Sequence, residues 1–393
     1  MKKLFVILLI TAASAAFAQS VSNFQVTTTD GKVTITKYTG KAAAVLIPAR
    51  IEGKPVVEIG RRAFDGCTGL TSISILASIT DIGDYAFLGC TGLTSVSIPA
   101  SVTNIGRGAF YGCIGLTSIS IPASVTGIGD YAFYDCIGLA GISVDSRNPS
   151  YSSREGVLFN KAGDTLIRYP PGKRGKYGIP VGVTSIGESA FDGCTGLTSV
   201  SIPASVTGIE GNAFSGCTGL TSISIPASVT EISIWAFFEC TGLTGISVEP
   251  RNPSYSSREG VLFNKAGDTL ISYPPGKRGK YGIPADVTSI GRGAFNNCTG
   301  LTSVGIPAGV IGIGDYAFYN CTGLTSVSIP ANFTFIGDSA FDGCTGLTSI
   351  RIGANVSWKG TSFANDFDRY YYAYGKKAGA YTYRNGAWSY AAR

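Results

Sequence analysis

The sequence contains no histidine. That absence removes the commonest general base, the Ser-His and Cys-His nucleophile pairs and most zinc sites. Carboxylates remain, but Asp84, Asp130, Asp315 and Asp338 recur at one equivalent place in a repeat, where the ordinary role is a solvated helix start. No C-x-x-C pair offers a metal site, and no glycine-rich phosphate loop is present, because the 53 glycines belong to repeat turns. Catalytic, cofactor-binding and metal-binding residues are therefore all expected to be none. Charge is scarce too. Charged residues make up 14% of the chain, and Lys plus Arg exceed Asp plus Glu by only 31 to 25, too mild an excess to imply nucleic-acid binding.

The hydrophobic content of 44% is enough to bury a large core. At the N-terminus, Lys2 and Lys3 precede an apolar run from Leu4 to Ile10 and then Ala16-Phe17-Ala18. This is the three-part grammar of a signal peptide over 1–18, with cleavage expected after Ala18. The strongly apolar part is shorter than the roughly 20 residues that span a bilayer. No cysteine follows it to anchor a lipid, and no later segment is apolar enough to cross a membrane. The mature chain is thus expected to be exported, to the cell surface, the medium or the periplasm.

The ten cysteines fall at 67, 90, 113 and 136, then 194, 217 and 240, then 298, 321 and 344, stepping by 23 within groups and by 58 between them. Aligned on cysteine, the chain repeats Cys-Thr-Gly-Leu-Thr-Ser-Ile-Ser-Ile-Pro-Ala-Ser-Val-Thr-x-Ile-Gly-x-x-Ala-Phe. A fixed period in this range carrying L-x-x-I-x-I marks a leucine-rich-repeat solenoid. Val96 and Ile98 alternate with Ser95 and Ser97, which reads as a short strand ended by Pro99. Gly106 is expected to turn the chain into a helical turn that points Ala109, Phe110 and Cys113 inward. One coil cannot bury these residues alone, whereas stacked coils form a continuous apolar ladder.

The two long gaps are near-identical copies, Ser143 to Pro180 and Ser247 to Pro284. In each, two apolar runs flank Lys-Ala-Gly-Asp, which reads as a hairpin that either stands off the solenoid or supplies an extra irregular coil. The ends look like caps. Thr29-Asp30-Gly31-Lys32 marks a hairpin near the start, and Phe363 to Tyr390 is dense in aromatics, with a helix through Phe367, Tyr370, Tyr371 and Tyr374 and a hairpin across Asn385-Gly386. The expected fold class is an α+β repeat solenoid: a right-handed leucine-rich-repeat coil with short stacked strands, short outer helical turns, two hairpin inserts and capped ends. Its parts are a signal peptide at 1–18, an N-terminal cap and opening repeat at 19–60, the solenoid at 61–352 with inserts at about 145–178 and 249–282, and an aromatic C-terminal cap at 353–393.

The I-P-x-x-V-T-x-I-G-x-x-A-F-x-x-C-x-x-L-T-x-I frame resembles the BspA-like leucine-rich-repeat surface proteins of bacteria. So do the G-K-P-V-V-E-I-G stretch from Gly53, the V-L-F-N-K-A-G-D-T-L-I-x-Y-P insert and the A-Y-G-K-K-A-G-A-Y-T tail from Ala373. The resemblance implies a surface or secreted protein that adheres to host matrix or to other cells, with no catalytic residues to carry over. Better-known leucine-rich repeats place Asn or Cys after the strand. Here Cys precedes it, so their ligand geometries do not transfer.

Equivalent cysteines on adjacent coils should lie about 4.8 Å apart, within the roughly 4.4 to 6.8 Å that a disulfide spans. Runs of four, three and three cannot all pair between neighbours, and each Cys sits at a core position where a small thiol packs well. Buried free thiols are the expectation.

Binding residues are sought where the repeat departs from its template. The strand face is a near-uniform hydroxyl ladder. The outer turns vary more, with Tyr85, Tyr111, Tyr131, Tyr134, Trp235, Phe238, Tyr316 and Tyr319 flanking the Ala-Phe pair. Trp235 and Phe238 are the least template-like and form the first candidate patch; half-buried packing against neighbouring coils is the alternative role. Lys173, Arg174 and Lys176, repeated as Lys277, Arg278 and Lys280, form two basic loops opened by Pro-Pro-Gly. Four or five intervening coils would set them roughly 20 to 24 Å apart, a spacing suited to an anionic polysaccharide or an acidic surface. The sequence thus points to a non-catalytic, exported surface or secreted protein that binds a host extracellular matrix protein, a glycan or other cells. The alternative is a structural or self-associating coat component of the cell envelope.

Overall fold

A computed structural model describes residues 21–392 except 334, 355, 358–362 and 364. The signal peptide assigned to 1–18 lies outside the described residues. From Val21 onward the chain winds into a β-solenoid of about 14 turns. In each regular coil a strand such as Ser95–Ser97 buries its central Val96 and exposes both serines. It pairs in parallel with Ser72–Ser74 and Ser118–Ile121, so that Ile73, Val96 and Ile119 form one inward column. A second ladder is made of two-residue strands, Asp81–Ile82, Asn104–Ile105 and Gly127–Ile128, whose isoleucines point into the same core.

The third side of the coil corrects the α+β expectation: the outer turns are not helical, and only about 3% of the chain is. In the turn after Gly83, alternate amides bond differently. Ala86, Leu88 and Cys90 donate within the coil to Gly83, Tyr85 and Phe87, whereas Tyr85, Phe87 and Gly89 donate at 2.8 Å to Arg107, Ala109 and Tyr111 of the next coil. A helix would direct every N–H along its own axis and leave none for the neighbouring coil. The alternation needs a left-handed residue ahead of each Ala-Phe pair, and Arg62, Tyr85, Tyr131, Ser189, Asn212, Trp235, Tyr316 and Ser339 all have positive φ there. Two of the four aspartates read as helix starts do a different job. Asp84 Oδ1 accepts from the Arg107 amide and Asp315 Oδ1 from the Asp338 amide, both at 2.9 Å, tying one coil to the next.

Inside the turns the phenylalanines stack. Phe64, Phe87 and Phe110 lie 5.2 Å apart, ring on ring, because the strand ladder fixes the coil spacing. Each thiol lies beside them, and Cys113 Sγ donates to the Phe87 carbonyl of the preceding coil at 3.1 Å. All ten cysteines are free and nine are buried. Burial pushes the thiols of Cys136 and Cys240 up to about 12, so they remain protonated.

The ends close the stack. Phe24–Thr29 and Lys32–Tyr38 form an antiparallel hairpin, with Asp30 and Gly31 both left-handed, and Tyr38 stacks on Phe64 at 5.2 Å. At the other end Gly379–Arg384 adds antiparallel to Ser349–Ile352 and turns through Asn385 and Gly386, again both left-handed, into Ala387–Ala391. The helix Phe367–Ala373 buries Phe367 and Tyr371 against this cap. It is the only α-helix among the described residues, and no helix there is long and apolar enough to cross a membrane.

Each insert is an irregular coil rather than a projecting hairpin. Tyr151–Arg154, Val157–Asn160 and Thr165–Arg168 form an antiparallel meander. Thr165–Arg168 then joins the second ladder beside Ser185–Ile186, Tyr169 stacks on Phe191 at 5.1 Å, and Gly175–Gly178 joins the first ladder beside Leu197–Ser201. Asn148 fastens the insert to the coil before it. Fully buried, it donates to the Pro122 and Val125 carbonyls and accepts from the Ser150 and Tyr151 amides, which satisfies its carboxamide. The strand Val157–Asn160 divides two cores: Val157 and Phe159 pack with the following coils and Leu158 with the preceding ones, as strand alternation requires. Leu158→Ala should therefore cost about 2–5 kcal/mol and uncouple the coils on its two sides. Urea denaturation followed by circular dichroism should show a lowered first transition separating from the main one.

Candidate functional site

The outer-turn ladder breaks at each insert. In a regular coil the left-handed residue, the phenylalanine and the residue two further on all donate to the next coil: Tyr316 to Asp338 at 2.9 Å, Phe318 to Ala340 at 2.7 Å and Asn320 to Asp342 at 2.8 Å. After Trp235 the next coil is the insert, which passes this side as Ser272-Tyr273-Pro274-Pro275 and makes no outer turn. The amides of Trp235, Phe237 and Glu239 are left without an acceptor among the described residues, while the carbonyls of Trp235, Phe237 and Glu239 are taken by Phe238, Cys240 and Thr241. Tyr131, Phe133 and Asp135 stand in the same position before the first insert. The phenylalanine stack loosens at both places, to 5.9 Å between Phe110 and Phe133 and between Phe214 and Phe237. Two clefts open there, 104 residues apart in sequence.

The second cleft gathers the aromatics. A groove of about 320 Å³ is lined by Asn212, Trp235, Phe238, Asn296, Tyr316 and Tyr319. At Trp235, Phe238 and Asn296 it continues into a narrower space of about 80 Å³ reaching Phe237, Leu262 and Ser272. Trp235 meets Phe238 edge-on at 5.6 Å and Tyr316 at 5.9 Å. The Arg292 guanidinium lies 6.0 Å from the indole and 5.7 Å from the Tyr316 ring, holding the two rings by cation–π attraction. Gly293 is the floor: a β-carbon there would come within 2.7 Å of the indole, so only glycine lets Trp235 lie against the backbone. Behind the groove a chain of carboxamides runs from Asn320 Nδ2 to Asn297 Oδ1 at 3.0 Å and from Asn297 Nδ2 to Asn296 Oδ1 at 2.7 Å. Asn296 is thereby left with its Nδ2 as the terminal donor.

The first cleft, about 110 Å³, is built from the same places with different residues. Arg168 replaces Ser272 and fills it, donating to the Ser189 carbonyl at 2.6 Å and to the Phe133 carbonyl at 3.2 Å. Glu188 replaces Arg292 and accepts from the Tyr131 hydroxyl at 3.1 Å across the mouth. Asp192 replaces Asn296. Burial pushes its carboxyl up, while Ser215, Arg168 and Tyr134 hold it down. Tyr134 in turn is raised to about 12 by burial and by Asp192. The first cleft is bridged by polar side chains, although the amides of Tyr131, Phe133 and Asp135 and the Arg168 Nε have no partner among the described residues, and the second opens onto an aromatic groove.

The structure thus brings Trp235 and Phe238 together and adds Tyr316, Arg292 and Asn296. Arg292 and Asn296 were not singled out in the sequence, although two signals mark them: the duplicated I-G-R-G-A-F at Ile105 and Ile290, and the paired differences Arg168/Ser272 and Asp192/Asn296 between otherwise matching copies. The basic residues lie elsewhere. Lys173 and Lys277 donate to the carbonyls of Glu155 and Glu259, and Arg174 and Arg278 lay their stems on Gly196 and Gly300. Lys176 and Lys280 are not in loops. They sit exposed on strands Gly175–Gly178 and Gly279–Gly282, opposite Ser199 and Ser303 in the hydroxyl ladder. Replacing both by Glu should lower the salt at which the protein leaves a heparin column, because exposed charges act through screened attraction. An unchanged elution would remove them as a polysaccharide site.

The pattern described as a BspA type leucine rich repeat region matches the chain in six copies over residues 53–155, 175–261 and 279–368. Among solved structures, a leucine-rich repeat protein from Eubacterium ventriosum is 26% identical, with 82% of this chain and 93% of that one covered and a TM-score of 0.56. A leucine rich cell surface protein from Faecalibacterium prausnitzii is 29% identical, covering 91% and 96% with a TM-score of 0.48. No curated relative matches the chain. With the repeat matched over most of its length and the coil geometry that the repeat dictates, the chain belongs to the BspA-type leucine-rich-repeat family.

Proposed function

We propose that this protein is exported to the bacterial surface and binds there, without catalysis, a host extracellular matrix protein, a glycan or another cell. The observation that carries this reading is the open second cleft. Most coils satisfy their outer-turn amides from the next coil, but here, as at the first cleft, a row of donors is left, and only here does it lie beside Trp235, Phe238, Tyr316, Tyr319 and an arginine. Aromatic and arginine side chains anchored in a desolvated groove are what protein recognition sites concentrate. The first cleft argues for the same view, since matching residues bridge it by internal bonds and show that the fold does not require an aromatic groove there.

A screen of the purified chain against immobilised matrix proteins and glycans should find saturable retention that Trp235→Asn reduces. Asparagine already occupies the matching left-handed place at 212, so the variant should fold. Protease shaving of intact cells should remove the protein. Release by shaving with no ligand in the screen would instead favour a structural coat.

A further inference from the structure

The second cleft is selective in its hydrogen bonding. Its unbonded groups are chiefly donors: the amides of Trp235, Phe237 and Glu239, the indole N–H and the Nδ2 of Asn296, which is 93% buried by its 7% exposure. The carbonyls of Trp235 to Glu239 are already used, that of Ile234 is not, and Asn296 Oδ1 is occupied by Asn297. An occupant must therefore bring acceptors and few donors. In a regular coil the acceptors are the carbonyls of the next turn, so the missing group is a polypeptide backbone. An ordinary peptide would carry several N–H groups into a cleft whose one free turn carbonyl is that of Ile234, and most of them would lose their hydrogen bonds. Proline has no N–H, and its ring packs on aromatic faces.

We propose that the second cleft binds a proline-rich segment of another polypeptide in the extended polyproline helix. Its carbonyls accept from the stranded amides and the Asn296 carboxamide, and its rings sit between Trp235, Phe238 and Tyr316. The segment needs no refolding to bind, since this helix is extended before it arrives and has no internal hydrogen bonds. A second copy of this chain is not the occupant through its own Pro-Pro pairs, because Pro170, Pro171, Pro274 and Pro275 are buried. The proposal rests on the reading that this face binds a ligand, and it names the ligand's chemistry.

The test uses acetylated, amidated octaproline titrated into the purified chain by calorimetry, with a chitin hexasaccharide as the competing chemistry. Octaproline should bind the wild type. The double variant Ser272→Arg and Asn296→Asp copies the first cleft into the second and should weaken binding at least tenfold. Trp235→Asn should do the same, and thermal melts should show that both variants are folded. Tyr131→Asn, in the first cleft, should leave the affinity unchanged. No octaproline binding to the wild type, or equal binding to the double variant, overturns the proposal. Binding of the saccharide but not octaproline, lost in Trp235→Asn, overturns the peptide chemistry and leaves the binding face standing. If Trp235→Asn also leaves every ligand of the matrix and glycan screen unaffected, the binding face itself fails.

Discussion

Each outer-turn amide that crosses to the next coil fixes much else in this molecule. A chain that turns every 23 residues has three sides to stack, and two of them stack as ordinary parallel strands. The third must turn sharply and still offer N–H groups along the axis. It does so by alternating bonds within the coil with bonds to the next, which puts a left-handed residue before each Ala-Phe pair. For a side chain as large as tyrosine or tryptophan that conformation costs about 1–2 kcal/mol. The cost is recovered because Phe, Ala and Cys are thereby delivered to the core at a constant spacing, where rings stack and thiols find carbonyls.

The same constraint explains why the inserts matter. An insert coil begins both strand ladders of the coils that follow it and supplies the first ring of their aromatic stack, while the ladders of the preceding coils end before it and Val157–Asn160 lies between the two cores. What it does not supply is an outer turn. The coil ahead of it is left with donors facing outward, and the two copies meet that situation in opposite ways. Around the first insert, Arg168, Asp192, Glu188 and the tyrosines bond to one another and to the backbone. Around the second, serine, asparagine and arginine take those places, and Trp235 lies across Gly293 toward Tyr316. The differences fall together in space, and serine for Arg168 and arginine for Glu188 remove the bonds to the two carbonyls and to the tyrosine hydroxyl that bridge the first cleft.

Most of the architecture was legible in the sequence because period and alternation carry it: the strand, the inward Leu, Ile, Phe and Cys, and the hairpins at Asp30-Gly31 and Asn385-Gly386 all follow from local rules. The outer turns were misread as helical because Gly-x-x-Ala-Phe-x-x-Cys has apolar residues at spacings of three and four, which a helix and this alternating turn share. Only the bonds to the next coil distinguish them, and those are tertiary. Trp235 and Phe238 stood out as departures from the template, whereas Arg292 and Asn296 are marked only by comparison of the two copies, since an arginine or asparagine in a turn is unremarked until the insert brings coils from either side together. The place of Lys176 and Lys280 on the strand face was hidden for a related reason: Gly-Lys-Tyr-Gly takes up the ladder although its sequence differs from Thr-Ser-Ile-Ser.

The second cleft offers free donors only if the amides before the second insert are unpaired, and amide hydrogen exchange measured residue by residue reads this directly. Trp235, Phe237 and Glu239 should exchange much faster than Tyr316, Phe318 and Asn320, which occupy the same repeat positions and donate to the following coil. Equal protection of the two sets would contradict it, because the ladder would then run through the insert and no cleft of free donors would exist.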